Sequence, residues 1–267
     1  MKFKLLVVLG LAAVSAAQTV DFKLHRGFLI VVKCSISNKD LAAVIDTGVT
    51  ETAIDIKLAK RLRLPTRFDQ ATFGTRQSQV SAVSIPELVV GPLRKTMIAG
   101  IAIDMSGFEH QLGIHADVIV GMDVLGQSSF LIDYESKKIN FGMPPSLKYA
   151  SPVATVNHLL LVAAEVEKTD LTFQLDTGFN AILVYGNRLP VSTPGSDSRG
   201  ETILGGMTVR LTAHSIKIGD WQGRQIAVAV TDEAPGGEKF FDGLLGPSAL
   251  GARRFAFDKE RHLVLWE

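Results

Sequence analysis

The sequence predicts a mostly β protein of two similar lobes that arose by internal duplication, with short helices as minor elements. Short apolar runs closed by glycine, proline or polar turn residues recur along the 267-residue chain, which is typical of many short strands. The tripeptide Asp-Thr-Gly begins at Asp46 and again at Asp176, each time directly after an apolar run. The segments that begin at Asp117 and Asp242 align over 25 residues without a gap.

These aligned segments define the repeat. A shift of 125 residues superposes four pairs of identical residues: Asp117 and Asp242, Gly121 and Gly246, Phe130 and Phe255, and Asp133 and Asp258. Strand-like runs closed by glycine precede them at residues 87–91 and 215–219. The Asp-Thr-Gly tripeptide, the glycine-closed run and the aligned 25-residue segment therefore recur in the same order. We predict an N-terminal lobe (residues 20–142), a linker with three prolines (143–153) and a C-terminal lobe (154–267).

The first 17 residues are predicted to be a secretory signal peptide. Lys2 and Lys4 precede a run of apolar and small residues that ends with small residues at Ser15 and Ala17, as a cleavage site requires. The run is shorter than the roughly 20 residues of a membrane span. We therefore expect a secreted or periplasmic protein that has no membrane association after cleavage.

Cys34 is the only cysteine, so no intramolecular disulfide can form. It lies in a strand-like run in which alternation places Phe28, Ile30, Val32, Cys34 and Ile36 on one face. Cys34 is therefore expected to be a small buried residue. Farther along, apolar residues near helical spacing in residues 53–64, followed by Pro65, predict a short helix.

Composition and the remaining motifs exclude several classes of protein. The chain is 46% apolar with a formal net charge of +1 and no basic stripe, so nucleic-acid binding is not expected. The six histidines form no His-Glu-x-x-His motif, and no Gly-x-Ser-x-Gly or phosphate-binding glycine loop is present. We expect no metal and no cofactor.

Two related lobes that meet across a pseudo-two-fold axis form a cleft in which equivalent loops face each other. The sequence here resembles the aspartic peptidase superfamily, specifically a single-chain fusion of two retropepsin-like units. The resemblance rests on Asp46-Thr47-Gly48, on Asp176-Thr177-Gly178, and on the apolar pairs closed by Gly121 and Gly246. It extends over nearly the whole chain after the signal peptide.

The resemblance implies an endopeptidase that acts on polypeptide in an extended conformation, and a monomer because one chain carries both halves of the site. Asp46 and Asp176 would be catalytic. Thr47 and Thr177 would cross-brace the two loops, and Gly48 and Gly178 would present backbone N–H groups to the carboxylates. Gly121 and Gly246 would lie beside the catalytic loops.

The residue types suit this chemistry. Two adjacent carboxyl groups cannot both ionise easily, so the pair shares a proton and supplies an acid and a base together. The ionised aspartate would take a proton from a water molecule while the protonated one donates to the peptide carbonyl.

A cleft enzyme of this kind needs a cover that excludes water. Residues 73–80 and 204–210 occupy the interval where retropepsin-like units carry a flexible hairpin flap. Gly205 and Gly206 favour a hairpin tip in the second stretch. Neither stretch contains the tyrosine of pepsin-like flaps, which favours the retropepsin-like comparison.

One position departs from the superfamily pattern. Val49 and Phe179 follow the two tripeptides, where a small or hydroxylated residue is usual. Either Phe179 shapes a substrate pocket, or it fills the cleft and leaves a non-catalytic peptide-binding protein that holds extended peptides by strand addition.

Overall fold

The computed structural model describes residues 18–73, 76–186, 188–189, 196–202, 205–232 and 241–267. Strands dominate these residues, and the predicted mostly β, two-lobed fold is confirmed. The predicted signal peptide lies outside the described residues. No helix in the described part of the chain is long and apolar enough to cross a membrane.

The described residues of the first half form ten strands, two short α-helices and one π-helical turn. In chain order these are β1 (Gln18–His25), β2 (Leu29–Ile36), β3 (Lys39–Ile45), β4 (Ala53–Asp55), α1 (Ile56–Arg61), β5 (Thr66–Phe73), β6 (Arg76–Val90), β7 (Leu93–Ile103), the π-helical turn (Phe108–Leu112), β8 (Val118–Val120), α2 (Met122–Leu125), β9 (Phe130–Asp133) and β10 (Lys138–Phe141).

The described residues of the second half repeat this order with fewer helices. They form β11 (Tyr149–Pro152), β12 (Ala154–Val156), β13 (Leu159–Val166), β14 (Thr169–Leu175), β15 (Ile182–Tyr185), β16 (Ser196–Thr202), β17 (Gly205–Ile218), β18 (Trp221–Thr231), β19 (Gly243–Leu245), a 3₁₀ turn (Pro247–Leu250), β20 (Arg254–Asp258) and β21 (Leu263–Trp266).

The strands form two sheets. One has the order β11-β21-β20-β9-β10-β1-β2-β3-β8-β4-β7-β6-β5, and the other has the order β12-β13-β14-β19-β15-β18-β17-β16. In each half the strand before Asp-Thr-Gly pairs in parallel with the strand closed by glycine, as β3 with β8 and β14 with β19. The two halves therefore place their Asp-Thr-Gly loops in the same structural position.

Strands from both halves meet in one part of the larger sheet. β9 pairs antiparallel with β20, and Leu131 lies opposite Ala256, its own equivalent 125 residues later. The pseudo-two-fold axis passes through this pair. Phe130 and Phe257 pack there with ring centroids 5.8 Å apart, and the main hydrophobic core extends through both halves. The lobes thus bury apolar surface together that neither would bury alone.

The repeated segments also make the same local hydrogen bonds. Asp117 Oδ2 accepts from the backbone N–H of Ala42 at 3.0 Å, and Asp242 Oδ2 accepts from the N–H of Thr172 at 2.9 Å. Each carboxylate fixes the start of a glycine-closed strand against the strand that leads into Asp-Thr-Gly. The duplication therefore includes side-chain contacts as well as strand order.

The predicted helix of residues 53–64 is shorter than expected. Ala53–Asp55 is strand β4, which pairs with β7 and β8, and the helix covers only Ile56–Arg61. The Asp55 carboxylate caps it by accepting from the N–H groups of Lys57 and Leu58. Pairing within the sheet overrides the helical spacing of the first three residues.

Two other sequence-based expectations concern the strands. On β2 the side chains of Ile30, Val32, Cys34 and Ile36 are buried in the main core, as predicted, and burial raises the pKa of the Cys34 thiol to about 12. The predicted linker is not a simple connector, because Tyr149–Pro152 forms strand β11 and pairs with β21.

Candidate active site

Asp46 and Asp176 stand at equivalent points, one residue beyond the strands that precede them. The N–H of Asp46 donates to the carbonyl of Val120 at 3.1 Å, and the N–H of Asp176 donates to that of Leu245 at 3.0 Å. Each aspartate backbone therefore extends the parallel pairing of its lobe by one hydrogen bond. This anchors both carboxyl groups to rigid strand ends.

The two loops cross so that each glycine lies against the carboxyl group of the other loop. A methyl group added to Gly48 would be 2.6 Å from Asp176 Oδ2, and one added to Gly178 would be 2.6 Å from Asp46 Oδ2. Only a residue without Cβ fits at such an approach. The geometry brings the two aspartates together, although 130 residues separate them in the chain.

Backbone N–H groups of the same glycines serve the carboxyl groups. Gly48 N–H donates to Asp46 Oδ1 and Gly178 N–H donates to Asp176 Oδ1, both at 2.8 Å. Each bond is charge-assisted when its aspartate is ionised. The loops are therefore preorganised to hold negative charge.

Thr47 and Thr177 tie the two loops together. Thr47 Oγ1 accepts from Thr177 N–H and donates to the Leu175 carbonyl, both at 3.1 Å. Thr177 Oγ1 accepts from Thr47 N–H at 3.0 Å and donates to the Ile45 carbonyl at 3.2 Å. The threonine side chains are almost inaccessible to solvent, so these four bonds form in a dry environment.

Burial raises the pKa of both carboxyl groups above the ordinary aspartate value, and their contact couples the two titrations. The N–H groups of Gly48 and Gly178 oppose this rise by donating to the carboxylates. The pair therefore holds one shared proton to a higher pH than a free aspartate would.

Gly121 and Gly246 lie directly behind the residues that follow the tripeptides. A methyl group at Gly121 would be 2.8 Å from the Val49 carbonyl oxygen, and one at Gly246 would be 2.8 Å from the Phe179 carbonyl carbon. These glycines thus allow the closing segment of each lobe to pack tightly beneath its aspartate loop.

Val49 and Phe179 occupy equivalent surroundings in the two lobes. Val49 is half-buried against a small apolar cluster that includes Val44 and Ile119. Phe179 is half-buried against a cluster that includes Leu183 and Tyr185. Each side chain packs on its own lobe. This packing is relevant to the two interpretations of Phe179, as a residue that shapes a substrate pocket or as one that fills the cleft.

Both predicted flap stretches fall in antiparallel strand pairs. Phe73 lies opposite Arg76 at the end of β5 and β6, and the two intervening residues are outside the described ones. Gly205 and Gly206 lie opposite Thr202 and Glu201, where β16 ends and β17 begins, and residues 203 and 204 are likewise outside the described ones. Gly205 and Gly206 are therefore the first two residues of strand β17.

The sequence-based list of site residues does not include Gln174. Its side chain is buried, and its Nε2 donates to the Gly48 carbonyl at 2.7 Å, from one lobe to the aspartate loop of the other. The sequence did contain a signal for Gln174. This polar residue interrupts the apolar run before the second tripeptide, at the position that Val44 holds before the first.

Other chemistry is limited in the described part of the chain. No group of three or more histidine, cysteine, aspartate or glutamate side chains is arranged to hold a metal ion there. The arrangement has two carboxyl groups, a donor set of backbone N–H groups and apolar surfaces on either side.

Residues 32–124, from β2 to α2 and including the first tripeptide, match the family model described as aspartyl protease. The match covers the first aspartate loop and less than half of the chain. No curated protein matches the chain. The likeness of this segment supports an aspartic peptidase family.

Proposed function

We propose that this protein is an exported aspartic endopeptidase that hydrolyses peptide bonds with a water molecule activated between Asp46 and Asp176. The observation that carries the proposal is the crossed packing of Gly48 and Gly178 on the opposite carboxyl groups. This packing supports one functional unit built from both lobes. The family match, which covers only the first loop, supports the same class of chemistry.

The shared proton gives the two aspartates complementary roles. The ionised aspartate takes a proton from the water as the water oxygen attacks the peptide carbonyl carbon, while the protonated aspartate donates to the carbonyl oxygen. The first aspartate then protonates the amide nitrogen of the resulting diol, the C–N bond breaks, and the second recovers a proton from a diol hydroxyl. Such sharing of one proton is established for the dyads of aspartic proteases.

The surroundings support a polypeptide substrate in an extended conformation. Val49 and Phe179 offer apolar surface next to the two aspartate loops, and the antiparallel pairs β5–β6 and β16–β17 supply strand ends in the interval predicted for flaps. An extended chain can bind through main-chain hydrogen bonds and fill apolar pockets with alternate side chains.

Export and a monomeric state are further parts of the proposal. The charged and apolar pattern of residues 1–17 supports a cleaved signal peptide and a secreted or periplasmic location. The presence of both aspartate loops in one chain supports a monomer, since a second copy is not needed to complete the site.

The direct test is to incubate the purified mature protein, beginning at Gln18, with a denatured protein mixture from acidic to neutral pH. Product termini identified by mass spectrometry should reveal internal cleavage sites. Products that arise only from chain ends would contradict the endopeptidase assignment, and a complete lack of cleavage would favour the peptide-binding alternative.

A peptide with a statine-type hydroxyl at the cleavage position should bind at least about a hundredfold more tightly than its parent peptide, because the hydroxyl imitates the tetrahedral diol. Titration calorimetry of both peptides at acidic pH measures the difference. Equal affinity would indicate a protein that binds peptides without stabilising a transition state.

Phe179→Ala should shift cleavage toward bulkier side chains beside the cut bond, by roughly tenfold in relative kcat/KM, because the change enlarges an apolar pocket. Profiling with a peptide library measures the shift. Val49→Ala is the matched control and should change preference on the other side of the cut bond. An unchanged profile would mean that Phe179 lines no pocket, and activity found only in Phe179→Ala would mean that the natural side chain blocks the site.

A further inference from the structure

Gln174 breaks the symmetry between the lobes. It lies on β14 two residues before Asp176, on the same face of the strand, opposite Leu161 on one neighbouring strand and Leu244 on the other. The equivalent strand β3 carries Val44 at this place, opposite Val31 and Ile119. Of these three pairs of equivalent positions, two are apolar in both lobes. The third is apolar in the first lobe and carries the Gln174 amide in the second.

A buried amide is costly without a hydrogen-bond partner. Gln174 meets this requirement by donating from Nε2 to the carbonyl oxygen of Gly48 at 2.7 Å. A carbonyl oxygen can only accept, so this contact fixes which end of the amide faces Gly48. No hydrogen bond to the equivalent carbonyl, that of Gly178, occurs among the described residues.

Gly48 is the residue through which this contact reaches both aspartates. Its N–H donates to Asp46 Oδ1, and its Cα lies against the Asp176 carboxyl group. A side chain that holds the Gly48 carbonyl therefore also sets the position of its N–H and the depth at which it covers Asp176. The second loop has no such tie in the described structure.

We propose that Gln174 is a positioning residue that holds Gly48 against the aspartate pair and thereby sets the alignment of the two carboxyl groups. Its hydrogen bond goes to Gly48, and it acts on the aspartates through that residue. This inference rests on the proposed peptidase function for its kinetic consequences, but the titrations of the pair can be measured without catalysis.

Loss of the contact changes both titration steps of the aspartate pair. With Gly48 less firmly held, its N–H stabilises the ionised carboxylate less, which raises the lower of the two pKa values of the pair. The carboxyl groups also become better solvated as Gly48 covers them less closely, which lowers the upper pKa value. The two titrations therefore move toward each other.

The test compares wild type with Gln174→Met, which keeps the side-chain length and removes the donor. We expect kcat to fall about tenfold with little change in KM, because one misplaced group weakens alignment and not substrate binding. The bell-shaped pH profile should narrow from both sides. Carbon-13 NMR of labelled aspartate carboxyl groups should show the two titrations converging.

Three further variants separate positioning from packing. Gln174→Leu also removes the donor and should narrow the profile, which keeps the test open if the methionine variant folds poorly. Gln174→Glu can donate to the Gly48 carbonyl when protonated, so its acidic limb should coincide with that of wild type. Val44→Ala, at the mirror position, should lower the melting temperature and leave the pH profile unchanged.

The outcomes distinguish this inference from the proposed function. Unchanged aspartate titrations in both Gln174→Met and Gln174→Leu, or a lower melting temperature with an unaltered pH profile, would overturn the positioning role. A wild-type protein that cleaves no peptide, while the titrations still converge in Gln174→Met, would overturn the peptidase function and leave the positioning role supported.

Discussion

Asp46→Asn and Asp176→Asn are each expected to remove nearly all peptide hydrolysis, and the double variant should be scarcely worse than either one. The two carboxyl groups act as a single acid-base unit around one water molecule, and the losses in such units are strongly non-additive. Initial rates on a quenched-fluorescence peptide, with the concentration of folded protein checked by circular dichroism, measure the effect.

The same variants should be at least as stable as wild type near neutral pH. Because both carboxyl groups have raised pKa values in the folded protein, the folded state binds more protons than the unfolded state above the ordinary aspartate range. Wild-type stability therefore falls as the pH rises through the folded-state pKa values. An asparagine at either position removes the contribution of one buried carboxyl group and its repulsion of the other, so the melting temperature of the variant should exceed that of wild type increasingly toward neutral pH.

A purely structural role for Asp-Thr-Gly predicts a different result for these variants. If Asp-Thr-Gly were a purely structural turn, the asparagine variants would lose melting temperature and would lose activity only in proportion to unfolding. Substantial turnover by well-folded Asp46→Asn or Asp176→Asn would rule out the paired mechanism.

Much of the fold was predictable because the duplication repeats each local sequence pattern in both halves of the chain. The strand before each tripeptide is visible as a matching run 130 residues later. The glycine-closed strand that pairs with it and the two strands after that are visible as matching runs 125 residues later. Alternation along β2 also placed Cys34 in the core correctly. These features depend on neighbours in sequence, or on a motif repeated in order.

The features that sequence reasoning missed depend on contacts between distant segments. The pairing of β9 with β20 and of β11 with β21 creates a sheet shared by both halves, and no periodicity within either segment reports its partner. The start of the predicted helix at Ala53 became strand β4 for the same reason, since sheet pairing with β7 and β8 outweighs local spacing.

Some residues of the candidate site could likewise be predicted from the sequence, whereas the contacts of others could not. Asp46 and Asp176 could be proposed from the motif alone, and their proximity follows from equivalent loops that meet across a two-fold axis. Gln174 could be noticed as a polar residue in an apolar run, but its acceptor lies on the other lobe, 126 residues away in the chain. Only the packed structure identifies the Gly48 carbonyl as its partner.

Thr47→Val is expected to destabilise the protein by about 2 to 6 kcal/mol, although valine has nearly the same shape as threonine. The change removes the hydroxyl that accepts from Thr177 N–H and donates to the Leu175 carbonyl. Each buried backbone group left without this partner costs about 1 to 3 kcal/mol. Urea unfolding at fixed pH, analysed for an unchanged slope and a lower midpoint, measures the loss.

Thr177→Val should behave alike, because its hydroxyl makes the mirror-image pair of bonds to Thr47 N–H and the Ile45 carbonyl. The double variant should lose less than the sum of the two, since both hydroxyls hold the same two loops together and water can reach the backbone once the loops separate. Thr47→Ser keeps the hydroxyl and is the matched control, with a small loss from the missing methyl group. Equal stability of Thr47→Val and Thr47→Ser would show that the hydroxyl contacts do not hold the lobes together, and the aspartate pair would then depend on glycine packing alone for its alignment.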